Sequence, residues 1–335
     1  MEVANSNARS VLVVDDEVGL QRSLHFGLAQ YGFQTDYVED GLSALRSIEA
    51  SYHKGNPYDY VVSDIKLPDI NGLKLLEVIK SKYNALPVIM ISGYGTEITS
   101  EEVSMRKGEA YVPKPFLVEE LVDVLNQVSP NRIQVVEPDA EPAPRTSASI
   151  YAMITVEPNA DAFNIFRQLY NMRNAVYCDA VRGDYDIALL LNAESTAELN
   201  DLEKNTLLKI PGIAKIETFP VLKPAIEDSV RSFIKDYEAR NRLYVQEDRE
   251  KRLEFAITAY AMVEVDKSLF HQVYPTIYFL DNVISCDATK GSYNIVLMIQ
   301  SPTFNEMERF VREEISSIEG VVRAKLMNII NMFPL

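Results

Sequence analysis

Through the N-terminal third of the chain, short apolar runs alternate with stretches of helical period. Val11-Leu12-Val13-Val14, Tyr60-Val61-Val62, Pro87-Val88-Ile89-Met90-Ile91 and Tyr111-Val112-Pro113 each read as a buried strand. Residues 17 to 31, 41 to 51, 71 to 83, 97 to 107 and 117 to 128 carry apolar side chains at helical spacing. This βα alternation predicts a doubly wound parallel sheet, in which the carboxyl ends of the strands line the functional edge. Polar groups collect at those ends: Asp15-Asp16-Glu17 after the first run, Ser63-Asp64 after the second, Ser92-Gly93 after the third and Lys114-Pro115-Phe116 after the fourth. Parallel strands would bring three carboxylates, one hydroxyl and one ammonium to a single place.

The pattern changes at Ser129. Residues 129 to 148 are rich in Pro, Glu, Ala and Ser without a helical or strand period, and predict an extended linker. Beyond it the sequence repeats itself. Cys178-Asp179-Ala180-Val181-Arg182-Gly183-Asp184-Tyr185-Asp186-Ile187 returns 108 residues later as Cys286-Asp287-Ala288-Thr289-Lys290-Gly291-Ser292-Tyr293-Asn294-Ile295. The offset holds from there to Ile210-Pro211-Gly212-Ile213 against Ile318-Glu319-Gly320-Val321, and upstream Tyr151-Ala152-Met153 pairs with Tyr260-Ala261-Met262 after a one-residue slip. In the first copy residues 150 to 156, 175 to 181, 185 to 192 and 213 to 222 read as strands, and 161 to 172 and 196 to 208 as helices. That βαββαβ order is the ferredoxin-like arrangement, with two helices on one sheet face and the other face left open. The open face needs a cover, from the linked copy or from another chain.

The expected architecture is therefore an α/β five-stranded domain over 1–128, a linker over 129–148, and two α+β ferredoxin-like domains over 149–223 and 254–335. Between the copies, residues 224–253 carry Ile226, Val230, Phe233, Tyr237 and Tyr244 along one helical face that Arg240 interrupts. The segment predicts an amphipathic connector that docks on a domain or a partner, with an intermolecular coil as the alternative.

Charge narrows the function. With 33 basic and 49 acidic residues, the net charge of −16 opposes nonspecific binding to nucleic acid and to an acidic membrane surface. Two cysteines and His25, His53 and His271 have no metal-cluster spacing, so Cys178 and Cys286 are expected as buried thiols, with a disulfide as the alternative. No apolar run reaches about 18 residues, the length of a membrane helix, and the opening residues lack a signal-peptide core. A cytoplasmic location is expected.

The strand-end set in the N-terminal third resembles the receiver domain of two-component response regulators, over residues 9 to about 128. The resemblance implies Asp64 as the phosphoacceptor, Asp15, Asp16 and Asp64 with the Lys66 backbone carbonyl around a Mg2+ ion, and Ser92, Lys114 and Tyr111 as catalytic and switch residues. It also implies a sensor histidine kinase or phosphotransfer protein as partner. Gly108 stands one position later than the family's usual glycine, and Lys66 and Tyr94 occupy positions that modulate loss of the phosphoryl group. Clustered carboxylates suit an oxygen-seeking divalent cation, and a carboxylate is a competent nucleophile for phosphoryl transfer.

The repeated copies resemble the small-molecule-binding, oligomerising domain of the Lrp/AsnC transcription factors, also called the RAM domain. By that resemblance Arg182, Gly183, Asp184 and Asp186 of the first copy, and Lys290, Gly291 and Ser292 of the second, are candidate ligand-binding residues. The second copy has Ser292 and Asn294 where the first has Asp184 and Asp186, so the first is the stronger candidate for an amino acid or small metabolite. A helix-turn-helix does not precede the copies, and direct nucleic-acid binding is not expected. Two functions stay open: a homo-oligomeric, non-enzymatic phosphorylation-switched regulator, or a metabolite sensor whose receiver only tunes oligomerisation.

Overall fold

The computed structural model describes residues 8–93, 100–131, 148–253 and 257–330. These form two compact bodies, one built on the N-terminal sheet and the start of the connector, the other on the tandem copies. Most of the expected linker, residues 132–147, lies outside the described residues.

The first body holds strands β1 (Arg9–Val14), β2 (Phe33–Val38), β3 (Tyr60–Asp64), β4 (Val88–Ser92) and β5 (Ala110–Pro113). Helices α1 (Val18–Gln30), α2 (Gly41–His53), α3 (Gly72–Lys82), α4 (Ser100–Met105) and α5 (Val118–Gln127) alternate with them. All pairings are parallel, in the order β2-β1-β3-β4-β5. The central strands β3 and β4 are buried along their whole length, as a sheet covered on both faces requires. β2 is the strand that the apolar pattern does not announce: at the sheet edge it carries exposed Gln34 and half-buried Thr35 between its apolar ends.

The connector is helix α8 (Asp228–Leu253), and its first turns bury Val230, Phe233 and Ile234 behind Ile226. They cover α2 and α3. Lys82 of α3 places its Nζ 2.7 Å from both Glu49 oxygens and also donates to the Ser232 hydroxyl. The Tyr83 ring meets Phe233 edge-on at 5.7 Å while its hydroxyl donates to Glu49 at 2.8 Å. Arg46 pairs with Glu227 at 2.9 Å and Lys74 donates to the Tyr237 hydroxyl at 3.1 Å. The expected amphipathic stripe thus finds its cover on the N-terminal sheet's own helices; the side chain of Tyr244 lies outside the described residues.

In the second body copy 1 comprises β6 (Ala148–Val156), α6 (Ala162–Tyr170), β7 (Ala175–Arg182), β8 (Ile187–Ala193), α7 (Thr196–Asn205) and β9 (Ile213–Leu222). Copy 2 repeats the order as β10 (Ile257–Val265), α9 (Phe270–Tyr278), β11 (Val283–Thr289), β12 (Ile295–Ser301), α10 (Phe304–Phe310) and β13 (Val321–Ile330). The two sheets do not stay separate domains. They join edge to edge, β9 to β11 and β7 to β13, into a closed eight-stranded barrel ordered β10-β12-β11-β9-β6-β8-β7-β13. Closure removes every free edge and answers which partner covers the open faces: the linked copy does.

The barrel interior holds Tyr151, Met153, Tyr185, Phe219, Tyr260, Met262, Tyr293 and Met327 in one buried cluster. Two polar bonds cross it in reciprocal fashion. The Tyr151 hydroxyl of copy 1 donates to Asp287 of copy 2 at 2.6 Å, and Tyr260 of copy 2 donates to Asp179 of copy 1 at 2.7 Å. The outer faces pack under the helices, where Cys178 and Cys286 are buried thiols outside any disulfide. No helix among the described residues is long and apolar enough to cross a membrane.

Phe233 is fully buried, so Phe233→Ala is expected to destabilise the protein by about 3–5 kcal/mol and to open α8 to trypsin; urea unfolding and limited proteolysis check both. A second prediction concerns the barrel. Burial raises the Asp179 carboxyl above its ordinary value, and the Tyr260 hydroxyl opposes that rise. The unfolded chain therefore loses the Asp179 proton at lower pH than the folded one, and stability falls as pH climbs between the two values. Tyr260→Phe lifts the folded value further and is expected to cost about 1–3 kcal/mol near neutral pH and distinctly less near pH 5. Equal losses at both pH values in urea unfolding would contradict the assignment.

Candidate functional site

The strand ends of the N-terminal sheet deliver their side chains as the parallel topology requires. Asp15 follows β1 and is fully buried, Asp64 ends β3 and is buried, Ser92 ends β4 and is buried, and Lys114 follows β5. Asp16 beside them is exposed. Backbone bonds hold the edge in register: Asp15 N–H to the Val38 carbonyl at 3.1 Å, Ile65 N–H to the Ile91 carbonyl at 3.2 Å, and Lys114 N–H to the Ser92 carbonyl at 2.6 Å.

At the centre, the Lys114 ammonium bridges two carboxylates, 2.6 Å from Asp15 Oδ2 and 2.8 Å from Asp64 Oδ2. Asp15 Oδ1 accepts the Glu17 N–H at 2.8 Å, and Asp64 Oδ1 accepts the Ile65 N–H at 2.6 Å. Burial pushes the Asp15 carboxyl above its usual value against the pull of Lys114. For Lys114 burial disfavours the charge, but the bonds to Asp15 and Asp64 outweigh it and the ammonium titrates above its ordinary value. The site is thus a compact arrangement of opposed charges with little water to screen them.

Oxygens of Asp15, Asp16 and Asp64 all lie within 4.8 Å of one another. An all-carboxylate set of this kind fits a hard divalent cation, and a soft metal would seek thiolate or imidazole instead. Lys66 lies in the loop after β3, with its N–H 3.4 Å from Asp64 Oδ1. Tyr111 lies half-buried on β5, in register with Met90. Tyr94 lies outside the described residues, as do the first residues of the helix expected over 97–107.

Sequence reasoning missed the parts that hold the loop after Asp64. Asp69 accepts the N–H groups of Gly41 and Leu42 at 2.8 Å each, tying the loop to the start of α2. Gly72 is required because a Cβ there would sit 2.0 Å from the Asp64 carbonyl oxygen. The signals were present as Asp69 and the Asn71-Gly72 turn, but they read only as loop residues.

The candidate ligand residues of the tandem copies are spread over two hairpins. Arg182 is exposed at the end of β7. Asp184 pairs with Lys325 across the copies, and Asp186 spends its carboxylate on the Val156 N–H at 2.8 Å. In copy 2 the equivalent Asn294 accepts the Val265 N–H at 2.8 Å, so Asp186 and Asn294 do the same structural work with one oxygen. The Lys290 N–H donates to the Pro220 carbonyl at 2.9 Å, Ser292 donates to Glu217 at 3.3 Å, and a Cβ on Gly291 would meet the Phe219 ring at 2.7 Å.

Comparison with known proteins places both halves. Residues 11–126 match the family model of the response regulator receiver domain, and residues 149–230 and 258–333 match that of the Lrp/AsnC ligand binding domain. The alkaline phosphatase synthesis transcriptional regulatory protein SphR of Synechococcus elongatus is 37% identical over 125 residues, covering 36% of this chain and 48% of that protein. The regulatory protein AtoC of Escherichia coli is 34% identical over 111 residues, covering 33% of this chain and 23% of its own length. The crystal structure of the receiver domain of NtrX from Brucella abortus is 34% identical, covers 35% of this chain and 95% of that chain, and superposes with a TM-score of 0.32. The chain spans about half or less of the length of these curated relatives. Both matches together define the chain: it carries a response regulator receiver domain joined to a tandem pair of Lrp/AsnC ligand binding domains.

Proposed function

We propose that the protein is a phosphorylation-switched regulator of a two-component phosphorelay, with Asp64 accepting the phosphoryl group from a sensor histidine kinase or phosphotransfer protein. The observation that carries the reading is the Lys114 ammonium held between Asp15 and Asp64. Asp64 Oδ2 forms a new O–P bond as the donor's bond to phosphorus breaks, and the donor leaves with the electron pair. Lys114, already at the nucleophile, faces the charge that arrives. Ser92, buried at the end of β4, supplies a hydroxyl to the new phosphoryl oxygens, and Tyr111 on β5 is the residue whose position answers. Asp15, Asp16 and Asp64, with the Lys66 carbonyl, would hold Mg2+, which when bound offsets the charge of the transferred group.

The barrel of tandem copies is the output module. The chain's net charge of −16 favours a protein or small-molecule output over direct binding to DNA. The protein works in the cytoplasm as a homo-oligomer and has no enzymatic activity beyond phosphoryl transfer to and from its own Asp64. A metabolite-sensing role is the second reading, favoured by the match of both copies to a ligand binding domain. Asp184, Asp186 and Ser292 are all engaged within the protein, which weighs against a ready amino-acid site at the hairpins.

Incubation with acetyl phosphate and Mg2+ is expected to add one phosphoryl group, read as a mass increase, and Asp64→Asn is expected to abolish it. Light scattering with phosphodonor, compared with a pool of amino acids, distinguishes the two readings: a change of assembly with amino acids alone would select the sensor. Lys114→Met leaves the buried Asp15 beside Asp64 without its cation and is expected to cost about 3–5 kcal/mol. Millimolar Mg2+ should recover more stability in this variant than in the parent; an equal Mg2+ effect in thermal unfolding would place the cation elsewhere.

A further inference from the structure

The two copies are related by a pseudo-twofold axis that the strand pairing makes explicit. Leu222 of β9 lies opposite Ala288 of β11, and the equivalent Ile330 of β13 lies opposite Ala180 of β7. The reciprocal bonds Tyr151 to Asp287 and Tyr260 to Asp179 obey the same symmetry. These features would be satisfied equally if copy 1 paired with a copy 1 from another chain. In the buried interior the copies differ in side-chain size, with Val181, Ala188 and Phe219 of copy 1 where copy 2 has Thr289, Val296 and Met327, but no charge there tells them apart.

The rim of the barrel does. Each hairpin lies against the last strand of the other copy, and the equivalent positions carry different charges. At one end Ser292 of copy 2 donates to Glu217 on β9 at 3.3 Å, and Tyr185 donates to the same carboxylate at 2.8 Å. At the other end Asp184 of copy 1 pairs with Lys325 on β13, and the Arg323 guanidinium stands 4.6 Å over the Tyr293 ring. By the 108-residue offset Ser292 is the equivalent of Asp184, and Lys325 that of Glu217.

We infer that this charge exchange is a recognition surface: copy 1 is built to close on copy 2 and to reject a second copy 1. In a pair of first copies, Asp184 of each would face Glu217 of the other, placing two carboxylate pairs on the rim, one at each end. The closed chain has no such contact; it sets Asp184 on an ammonium, and Glu217 on the Ser292 and Tyr185 hydroxyls and the Lys215 ammonium of its own strand. An assembly of two chains that closes both barrels through like copies needs the first copies to pair as well as the second, so the clash in copy 1 alone disfavours it. The side chains of Asp184 and Lys325 are 61% and 29% exposed, so the attraction adds little stability, but like charges at the same place choose between partners. The surface fits one partner, the second copy of this chain, and it acts whatever the receiver does.

The test uses the full chain with Cys178 and Cys286 replaced by Ala and two cysteine reporters. Ala180→Cys with Leu222→Cys lies opposed between chains only when first copies pair, whereas Leu222→Cys with Ala288→Cys lies opposed in the heterotypic barrel. Chains are unfolded in urea, refolded together and oxidised, and the covalent products are separated by mass. The parent is expected to give the intrachain product with the second reporter and negligible dimer with the first. Asp184→Lys, which repels Lys325 and attracts Glu217 of a second chain, should raise dimer with the first reporter by at least about threefold. Adding Lys325→Asp should return it toward the parent and restore the intrachain product, which also guards against a variant that merely misfolds. Parent dimer equal to that of Asp184→Lys, or a double variant as dimeric as the single one, would overturn the inference.

Discussion

Each body of this protein holds carboxylates that are fully or half buried, and each arrangement depends on the partner that makes their burial tolerable. In the receiver, Asp15 is fully buried beside Asp64, and the Lys114 ammonium lies between them. In the barrel, Asp179 and Asp287 are set among aromatic rings and each accepts a tyrosine hydroxyl from the opposite copy. A buried carboxylate without such a partner would protonate or force the structure open. The difference in partner matches the difference in task. A lysine side chain has the rotamers to shift when a cation or a phosphoryl group arrives, whereas a packed phenol fixes its carboxylate in place.

Much of the receiver could be read from the chain because its strand ends admit few residue types. Asp15, Asp16, Asp64, Ser92 and Lys114 appear in order at the ends of apolar runs, and the structure brings Asp15, Asp16 and Asp64 within 4.8 Å of one another. β2 was harder, since an edge strand carries Gln34, Thr35 and Asp36 and has no apolar run to announce it. Gly72 shows a different limit: its need is steric, set by a backbone oxygen from β3 that local sequence does not specify.

The second half was legible as a fold and illegible as an assembly. Repeat and alternation gave the βαββαβ order of both copies and the approximate element bounds of the first, but an apolar sheet face states only that something covers it. Likewise the stripe Ile226, Val230 and Phe233 predicts an amphipathic helix without saying that α2 and α3 receive it. The hairpins misled through chemistry. Asp186 against Asn294 looks like a lost charge, yet both positions supply one oxygen to a backbone N–H, of Val156 and of Val265. Tandem duplication also freed Glu217 and Lys325 to differ, which no single-copy homodimer permits at symmetric positions.

The central claim is that the charge cluster exists to put a phosphoryl group on one particular carboxylate. Borohydride reduces an acyl phosphate to an alcohol, so treatment of the phosphorylated protein followed by peptide mass mapping reads the modified position directly. The account predicts homoserine at position 64 and nowhere else in the chain. Reduction at Asp15 or Asp16, or a phosphorylated protein in which position 64 remains aspartate, would contradict it.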